Sequence, residues 1–278
     1  MNYSLSVIVP TLTNTKGLEH QLNYLQDKNC QLIIIDNQPN DEKKLLIKEF
    51  QKIYQKRLIY SPQKKNLGFS ASINLGSKQA IGEWFLILND DVEFKDDQSI
   101  NRLVTYAKKG GLDAISPVLI NSNGEIENLG YKVLPYGKID IIKNPKSKIL
   151  NLKQIPNSQL QILNSNIDGL TAACLLIKKS VFDSLGGFDE SFFAYLEDVE
   201  FFLRFKKAGF KMSIAKDIFV LHHHMTTSKT MGSFKAQKDL INWWRLYFKH
   251  RHKFKFNLNF ILERLYNLSG LIKSFLKI

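Results

Sequence analysis

The sequence predicts an α/β fold in which a mainly parallel sheet carries helices on both faces. Between residues 5 and 88, short apolar runs of strand length alternate with longer segments of helical periodicity. The first two apolar runs end at turn-prone residues, Pro10 and Asp36-Asn37. Strands that alternate with helices are joined by right-handed crossovers, and such crossovers make neighbouring strands parallel.

Seven elements are predicted in this first part of the chain. In chain order they are strand 5–9, helix 17–28, strand 31–35, helix 41–54, strand 57–61, helix 69–80 and strand 84–88. Ligands of such sheets bind outside the carboxyl ends of the strands. We therefore expect Pro10-Thr11, Asp36-Asn37 and Asn89-Asp90-Asp91 to converge on one edge of the sheet.

The pattern changes after about Pro117. Residues 120–166 mix polar and apolar residues with several prolines and an Asn-Gly pair, which predicts hairpins and a variable loop. Residues 168–178 form a strongly apolar run. Two helices, 180–185 and 196–208, are each closed by glycine.

The composition excludes several classes of protein. The 278 residues are 44% hydrophobic, which excludes wholesale disorder. Two cysteines, Cys30 and Cys174, cannot form a disulfide framework or a structural zinc site, and they favour a reduced, cytoplasmic setting. The N-terminus shows no signal-peptide pattern, and no run reaches the ~18 apolar residues that span a membrane.

More than half of the formal net charge of +13 lies in the tail, because residues 243–278 contain eight Lys or Arg and one Glu. From Leu258 onward, apolar residues recur at helical spacing, which predicts a basic amphipathic helix suited to an anionic membrane surface. Packing on the rest of the chain or on a second subunit is the alternative. Nucleic-acid binding is disfavoured, since the basic cluster accompanies an apolar stripe and not a reading element.

Five motifs contain residue types suited to catalysis or ligand binding. Asn89-Asp90-Asp91 follows a buried strand, where carboxylates suit a hard cation or form a polar turn. At Asp36-Asn37 a carboxylate can accept a hydrogen bond from a base or form an Asx turn. The 64–76 segment joins lysines and Gly68 to a helix N-terminus, which can bind an anion or be an ordinary loop.

The other two motifs lie in the second half. Glu197-Asp198 lies in the first turn of a predicted helix, beside aromatic residues. One of the two carboxylates can act as a general base, or both can simply interact favourably with the helix dipole. In His222-His223-His224, strand alternation places the outer two side chains on one face and His223 on the other. One histidine can bind a metal or a diphosphate oxygen, or all three can be surface or packed residues.

Taken in order, these motifs resemble the inverting family-2 glycosyltransferases of the GT-A fold, particularly their rhamnosyltransferase-like branch. The resemblance runs from Ser6 to about Ser228. Its most specific part is a spaced pattern in the second half: Asp168-Gly169, residues 172–177, the Gly186-Gly187-Phe188-Asp189-Glu190 segment, Phe193, Glu197-Asp198 and Arg204.

The resemblance implies roles for single residues. Binding of the base and ribose of the nucleotide sugar is assigned to Pro10, Thr11, Asp36 and Asn37. Binding of its diphosphate is assigned to Lys65, Asn66, Gly68 and Asn74. Asn89 replaces the first acid of the DxD motif, so Asp91 becomes the best ligand for Mg²⁺ or Mn²⁺ and Asp90 a secondary one. Asp168 is assigned to the donor sugar or the acceptor. Asp198 is the base with Glu197 beside it, and His222, ahead of His224, approaches the metal or diphosphate.

The implied activity is inverting transfer of a sugar from a UDP- or dTDP-sugar, with dTDP-rhamnose as one donor, to a glycan or lipid-linked glycan. The parts would be a nucleotide-sugar half (1–119), an acceptor and catalytic half (120–240) and a basic tail (241–278) at the inner face of the cell membrane. A homodimer is compatible with the same tail. The alternatives are a non-catalytic nucleotide-sugar-binding protein and, less favoured, a nucleic-acid-binding protein.

Overall fold

The computed structural model describes residues 3–143, 167–223 and 232–276. The first part contains β1 (Leu5–Thr11), α1 (Thr15–Leu25), β2 (Gln31–Asp36), α2 (Asp41–Tyr54), β3 (Leu58–Pro62), α3 (Phe69–Gln79), β4 (Trp84–Leu88), β5 (Val92–Phe94) and α4 (Ser99–Lys109). The second part contains β6 (Ala114–Ile120), β7 (Ile126–Asn128), β8 (Tyr131–Leu134), β9 (Lys138–Ile141), β10 (Cys174–Lys178), α5 (Lys179–Ser184), α6 (Glu197–Lys207) and β11 (Met212–His222). Helices α7 (Gly232–Lys249) and α8 (Leu258–Leu276) form the tail.

The main sheet of the described residues has the order β3-β2-β1-β4-β10-β6-β11-β5, and β7 pairs with β6. Strands β1 to β4, β6 and β11 run in one direction, and β5, β7 and β10 run in the other. Strands β8 and β9 form a separate antiparallel hairpin. The predicted α/β fold with a mainly parallel sheet is confirmed.

Helices cover both faces of this sheet, as predicted. Along β1, Val7 and Val9 point to one face and Ile8 points to the other. The first face packs against α1, α2 and α4, and the second against α3, α5 and α6. Each fully buried aliphatic side chain stabilises this packing by about 1.5–3 kcal/mol.

The bounds of α2 and β4 agree with the predicted ranges. Strand β1 continues past Pro10 to Thr11, because it pairs with β4 only through Ile8 and has β2 alone beside Pro10. The sequence analysis did not assign α4, β5 or β6. Pro117, taken as the end of the regular pattern, lies inside β6, and the facing strand β11 is irregular between Ala215 and Phe219. A proline cannot donate to the ladder, which fits this local irregularity.

The tail packs on the domain. Trp243 and Leu246 of α7 are buried in one cluster with Leu196, which directly precedes α6, and Val199 of α6. Helix α8 folds back on α7, where the Phe260 ring lies 4.8 Å from that of Tyr247. The opposite face of α8 stays exposed through Leu258, Ile261, Leu262, Leu265, Leu268 and Ile272. Of the helices described, none has the length and apolar character needed to cross a membrane.

Candidate active site

The loops after β1, β2 and β4 meet at the carboxyl edge of the sheet, as predicted. The Thr11 hydroxyl donates a hydrogen bond to Asp90 Oδ2 at 2.6 Å, and the backbone N–H of Asn37 donates one to the Thr11 carbonyl at 2.9 Å. The side chain of Asn14 donates to the backbone carbonyl of Asp90 at 2.9 Å. These bonds fix the three loops relative to one another.

A cleft of about 740 Å³ opens at this edge. It extends from the strand ends to the first turn of α6 and on to the tail helices. Most of the predicted site residues line it: Pro10, Thr11, Asn37, Asn66, Gly68, Asn89, Asp90, Asp91, Glu197, Asp198 and His222. His224 lies outside the described residues.

A histidine and two carboxylates form one group in the cleft. His222 Nε2 lies 3.5 Å from Asp91 Oδ2, and His222 Nδ1 lies 3.1 Å from Glu127 Oε1. Burial lowers the pKa of His222, but its bonds to the two carboxylates outweigh this effect and raise the pKa to about 9. His223 points away and contacts Glu93 at the surface, as strand alternation predicts.

Oxygen and imidazole donors in this group suit a divalent cation such as Mg²⁺ or Mn²⁺. Asn89 Oδ1 is buried beside them and meets no donor in the described parts of the chain. Across residues 3–143, 167–223 and 232–276, no cluster of three or more His, Cys, Asp or Glu side chains is arranged to hold an ion. The described residues alone therefore do not form a complete cation site.

Asp90 faces a different neighbour from Asp91. Its carboxylate accepts the Thr11 hydroxyl, and burial raises its pKa to about 7. Asp91 is the carboxylate that faces His222.

The acidic pair Glu197-Asp198 opens α6 directly after a strained turn. Tyr195 (φ 68°) and Leu196 (φ 66°) adopt the left-handed conformation, which is costly for residues other than glycine. Asp198 accepts hydrogen bonds from the amides of Val199 (2.8 Å) and Ala172 (3.4 Å). The turn and these bonds direct the pair into the cleft.

Both carboxyls of this pair have raised pKa values. Burial raises the pKa of Asp198 to about 6. Burial and the nearby charge of Asp198 raise the pKa of Glu197 well above its usual range. No donor from the described residues reaches Glu197 Oε2. The pair thus combines a carboxylate with a pKa of about 6 and a second carboxyl that is harder to ionise.

Four predicted site residues do not line the cleft. The buried Asp36 carboxylate bonds to Lys43 Nζ at 2.5 Å and to the Tyr60 hydroxyl at 2.8 Å. The side chain of Asn74 bonds to both backbone groups of Phe188. Asp168 bonds to the Val133 amide and to Lys206. Lys65 is exposed to solvent. Their predicted binding roles stay predictions.

The N-terminus of α3, expected to offer amides to an anion, is partly occupied by protein. The Phe69 amide donates to the Phe193 carbonyl at 2.7 Å. Gly68 has φ +80°, and a Cβ there would lie 2.4 Å from the same carbonyl oxygen. The glycine therefore serves the close approach of two chain segments at the cleft wall.

Several lining residues were missed by the sequence analysis. Glu127 sits on β7, Tyr131 and Gly137 on the hairpin, and Asp239 and Arg264 on the tail. None belongs to a local motif, since each reaches the cleft only through the fold. The basic tail signal pointed to α8 but gave no sign that Arg264 faces inward.

A sequence profile of Glycosyl transferase family 2 matches residues 6–186, which is more than half of the chain. The chain belongs to this family. Its architecture is that of the GT-A glycosyltransferases, as the resemblance implied.

Individual relatives are more distant. O-antigen biosynthesis protein RfbC of Myxococcus xanthus is 25% identical over 204 residues, covering 71% of this chain and 15% of that protein. N-acetylglucosaminyl-diphospho-decaprenol L-rhamnosyltransferase of Mycobacterium tuberculosis is 26% identical over 182 residues, covering 58% of this chain and 57% of that enzyme. The chain thus spans less than two thirds of either relative.

Among solved structures, the chain is similar to the mannosyltransferase PcManGT from Pyrobaculum calidifontis, solved in complex with GDP-Man and Mn²⁺. The TM-score is 0.63 at 13% identity, over 99% of this chain and 74% of that one. At this identity the likeness shows the shared fold alone.

Proposed function

We propose that the chain is an inverting, metal-dependent hexosyltransferase of cell-surface polysaccharide synthesis. The donor would be a UDP- or dTDP-sugar, with dTDP-rhamnose as one candidate, and the acceptor a hydroxyl of a glycan or lipid-linked glycan. The observation that carries the proposal is that the Asp91–His222 pair and the Glu197–Asp198 pair line the same cleft. One pair suits a diphosphate with its cation, and the other suits proton abstraction.

The donor would lie over the carboxyl ends of β1 to β4. Thr11, Asn37 and Asn66 line this side of the cleft and offer polar groups to the nucleotide. Asp91 would hold Mg²⁺ or Mn²⁺ together with His222, which must first lose its proton because only the neutral imidazole binds a metal. The cation would offset negative charge on the departing nucleoside diphosphate. Glu127 orients the His222 ring through Nδ1 and leaves Nε2 directed at Asp91.

The chemical step is a single displacement. Asp198 accepts the proton of the acceptor hydroxyl while that oxygen bonds to the anomeric carbon of the sugar. The bond from this carbon to the donor phosphate oxygen breaks, and the nucleoside diphosphate leaves with the electron pair. Attack from the face opposite the leaving group inverts the configuration, and no covalent nucleophile is needed.

The raised pKa of Asp198 suits this role. A carboxylate with a pKa of about 6 is ionised at pH 7, yet it is a stronger base than an ordinary aspartate. Glu197, whose pKa is raised by burial and by the charge of Asp198, has an oxygen that no described donor reaches and is suited to contact the acceptor. A general base of this kind contributes about 10²–10⁴-fold to the rate.

The tail supports a location at the inner face of the cell membrane. Its helix α8 exposes a row of aliphatic side chains, and the tail carries most of the net positive charge. The mycobacterial relative is named for a decaprenol-linked acceptor, which favours a lipid-linked acceptor here. A homodimer through the same face of α8 is the competing use of this surface.

A panel of nucleotide sugars tests the proposal directly. The purified chain would be incubated with each sugar, with and without Mn²⁺, and both binding and release of nucleoside diphosphate would be measured. We expect Mn²⁺-dependent binding of one donor class, with release lost in Asp198→Asn and binding retained. Binding without release by the unmodified chain, with acceptor glycans present, would instead indicate a non-catalytic sensor.

A further inference from the structure

A buried arginine lies at the tail end of the cleft. Arg264 of α8 is 5% exposed, and its Nη2 donates to the Gly137 carbonyl at 2.6 Å. Its guanidinium carbon lies 4.5 Å from the ring centroid of Trp243 and 5.1 Å from that of Phe260. Within the described chain, no acceptor reaches Nε or Nη1. Two donors of a buried cation therefore lack acceptors.

The surrounding rings do not replace those acceptors. The rings of Trp243 and Phe260 interact with the guanidinium as a cation over a π face, whereas its N–H bonds lie in its own plane. Burial lowers the pKa of Arg264 to about 10, so the group stays charged at neutral pH. Burying a charge without hydrogen-bond partners is costly, and an incoming anion would remove that cost.

The neighbouring acidic side chains Glu263 and Asp239 form no ion pair with Arg264 in the described parts of the structure. Glu263 pairs with Lys138 at 3.1 Å, and Asp239 attracts Arg264 without forming an ion pair within 4 Å in the described parts of the structure. Gly137 (φ +74°) lets the hairpin approach α8 closely, since a Cβ there would lie 2.8 Å from the Phe260 ring and 3.2 Å from Nη1. The geometry thus offers a charged fork that lines the cleft.

We propose that Arg264 binds the phosphate or diphosphate of a lipid-linked acceptor, an inference that rests on the proposed transferase function. Arginine is suited to phosphate because its planar fork donates two parallel hydrogen bonds. Asp239, Arg264 and the acidic pair all line the same cleft, so the proposed anion subsite and the proposed base open into one space. The donor diphosphate has its own place at Asp91 and His222.

Helix α8 joins this subsite to a surface for hydrocarbon. Arg264 and Phe260 lie on its inward face, and Leu262 and Leu265 lie on its exposed face, each about half exposed. A lipid phosphate bound at Arg264 would leave its hydrocarbon chain to continue along α8 toward a membrane. Charge inside and aliphatic groups outside match the two ends of such an acceptor.

A fluorescence titration tests the subsite, because Trp243 stacks on Arg264 and reports its surroundings. The full chain would be titrated with citronellyl diphosphate in EDTA, so that no divalent cation recruits the diphosphate to Asp91. Citronellol, inorganic pyrophosphate and glucuronate serve as parallel probes. We expect citronellyl diphosphate to bind most tightly, pyrophosphate less tightly and citronellol most weakly. Tighter binding of glucuronate than of the diphosphates would overturn the proposal.

Matched variants assign the binding to Arg264. Arg264→Met keeps an unbranched stem against Trp243 and should weaken binding of citronellyl diphosphate about tenfold or more, the loss expected for charged hydrogen bonds. Arg251→Met removes the same charge from an exposed position of the tail and should leave the affinity unchanged. Unchanged affinity in Arg264→Met, or equal losses in both variants, would overturn the proposal.

Two further measurements separate the possible failures. If Arg264→Met does not fold, Arg264→Lys decides, since it keeps the charge and loses the fork; undiminished affinity would overturn the proposal. The proposed transferase function is tested separately by titrating the protein with UDP and with dTDP in the presence of Mn²⁺. Nucleotide binding with no effect of Arg264 variants on citronellyl diphosphate overturns the subsite alone, whereas absence of nucleotide binding overturns the transferase function.

Discussion

The side-chain amide of Asn242 in α7 donates a 2.7 Å hydrogen bond to the backbone carbonyl of Tyr195, two residues before Glu197. It donates a second bond to the carbonyl of Ala194 at 2.9 Å, and its own oxygen accepts from Arg245. Asn242 is fully buried. The left-handed conformations of Tyr195 and Leu196 cost about 1–3 kcal/mol each, so the turn needs such support. A tail helix thereby helps to position the proposed base.

Asn242→Ala should slow turnover by up to about a hundredfold, because a small displacement of a catalytic group is enough for such a loss. It should also lower the free energy of unfolding by about 1–3 kcal/mol. The KM for the nucleotide sugar should change little, since Asn242 bonds to the turn and not to Thr11, Asn37 or Asn66. Asn242→Asp should be worse than alanine because it places a carboxylate against two carbonyls. Steady-state kinetics and thermal unfolding measure these effects.

The matched control for this prediction is Asn259→Ala on α8, whose side chain is exposed. It should change neither kinetics nor unfolding. If Asn242→Ala lowered stability but left kcat intact at a temperature where the protein is folded, Asn242 would have a purely structural role.

The pKa of Asp198 predicts the acid limb of the pH profile. Since the base must be ionised, kcat should fall about tenfold per pH unit below pH 6, near the pKa of this group. Asp198→Asn should reduce kcat about 10²–10⁴-fold at neutral pH and abolish this limb in any residual activity. A residual rate that still falls below pH 6 would assign the limb to another group.

The same carboxyl predicts a stability change of opposite sign to the activity change. The folded-state pKa of Asp198 lies above its unfolded value, so its ionisation lowers stability as the pH rises through about 6. Asp198→Asn should therefore raise the unfolding temperature at pH 8 and have little effect at pH 4. Asp41→Asn, a substitution at a side chain that is 94% exposed, should show neither change.

The sequence was sufficient for the parts of this site that depend on local pattern. Leu5 to Leu88 alternates in strand and helix periods, so the parallel core and the meeting of Thr11 with Asp90 followed from topology alone. Glu127 and Arg264 were not predictable in this way. Each is a single polar residue whose position depends on how the hairpin and tail fold against the domain, and no spacing rule encodes that packing.

Asp36 shows a different limit. The Asp36 carboxylate lies at the end of β2, at the carboxyl edge of the sheet, but no sequence pattern indicates that Lys43 on the next helix reaches back to it. Both side chains of this pair are fully buried. Turn chemistry predicted the location of the charge, and only the tertiary structure identifies its partner.

This buried pair makes its own prediction. Lys43→Met leaves the Asp36 carboxylate without its cation and should lower the free energy of unfolding by about 3–5 kcal/mol. Lys44→Met, at the next position, breaks only a surface pair with Asp41 and should cost less than about 1 kcal/mol. Denaturant unfolding measures both. Equal small losses would mean that Asp36 is satisfied without Lys43.

Glu127→Gln tests the orientation of the proposed metal ligand. Removing the carboxylate that contacts His222 Nδ1 should weaken Mn²⁺-dependent nucleotide binding about 10–100-fold, as for other partners of metal ligands. Asp91→Ala should weaken it at least as much. Calorimetric titration with nucleotide and Mn²⁺ measures this, and Glu125→Gln, at a nearby exposed residue, is the control. Unchanged binding in Asp91→Ala would remove the cation from this site.

The exposed face of α8 predicts binding to anionic vesicles. The double variant Leu262→Glu, Leu265→Glu should reduce cosedimentation with phosphatidylglycerol vesicles about tenfold or more, because each buried leucine contributes about 1.5–3 kcal/mol. Leu45→Glu introduces the same charge at an exposed leucine of α2 and should leave binding unchanged. Light scattering on the same samples reports the oligomeric state. If the double variant turns a dimer into a monomer and vesicle binding persists, the face joins two subunits, and the membrane contact must be sought elsewhere.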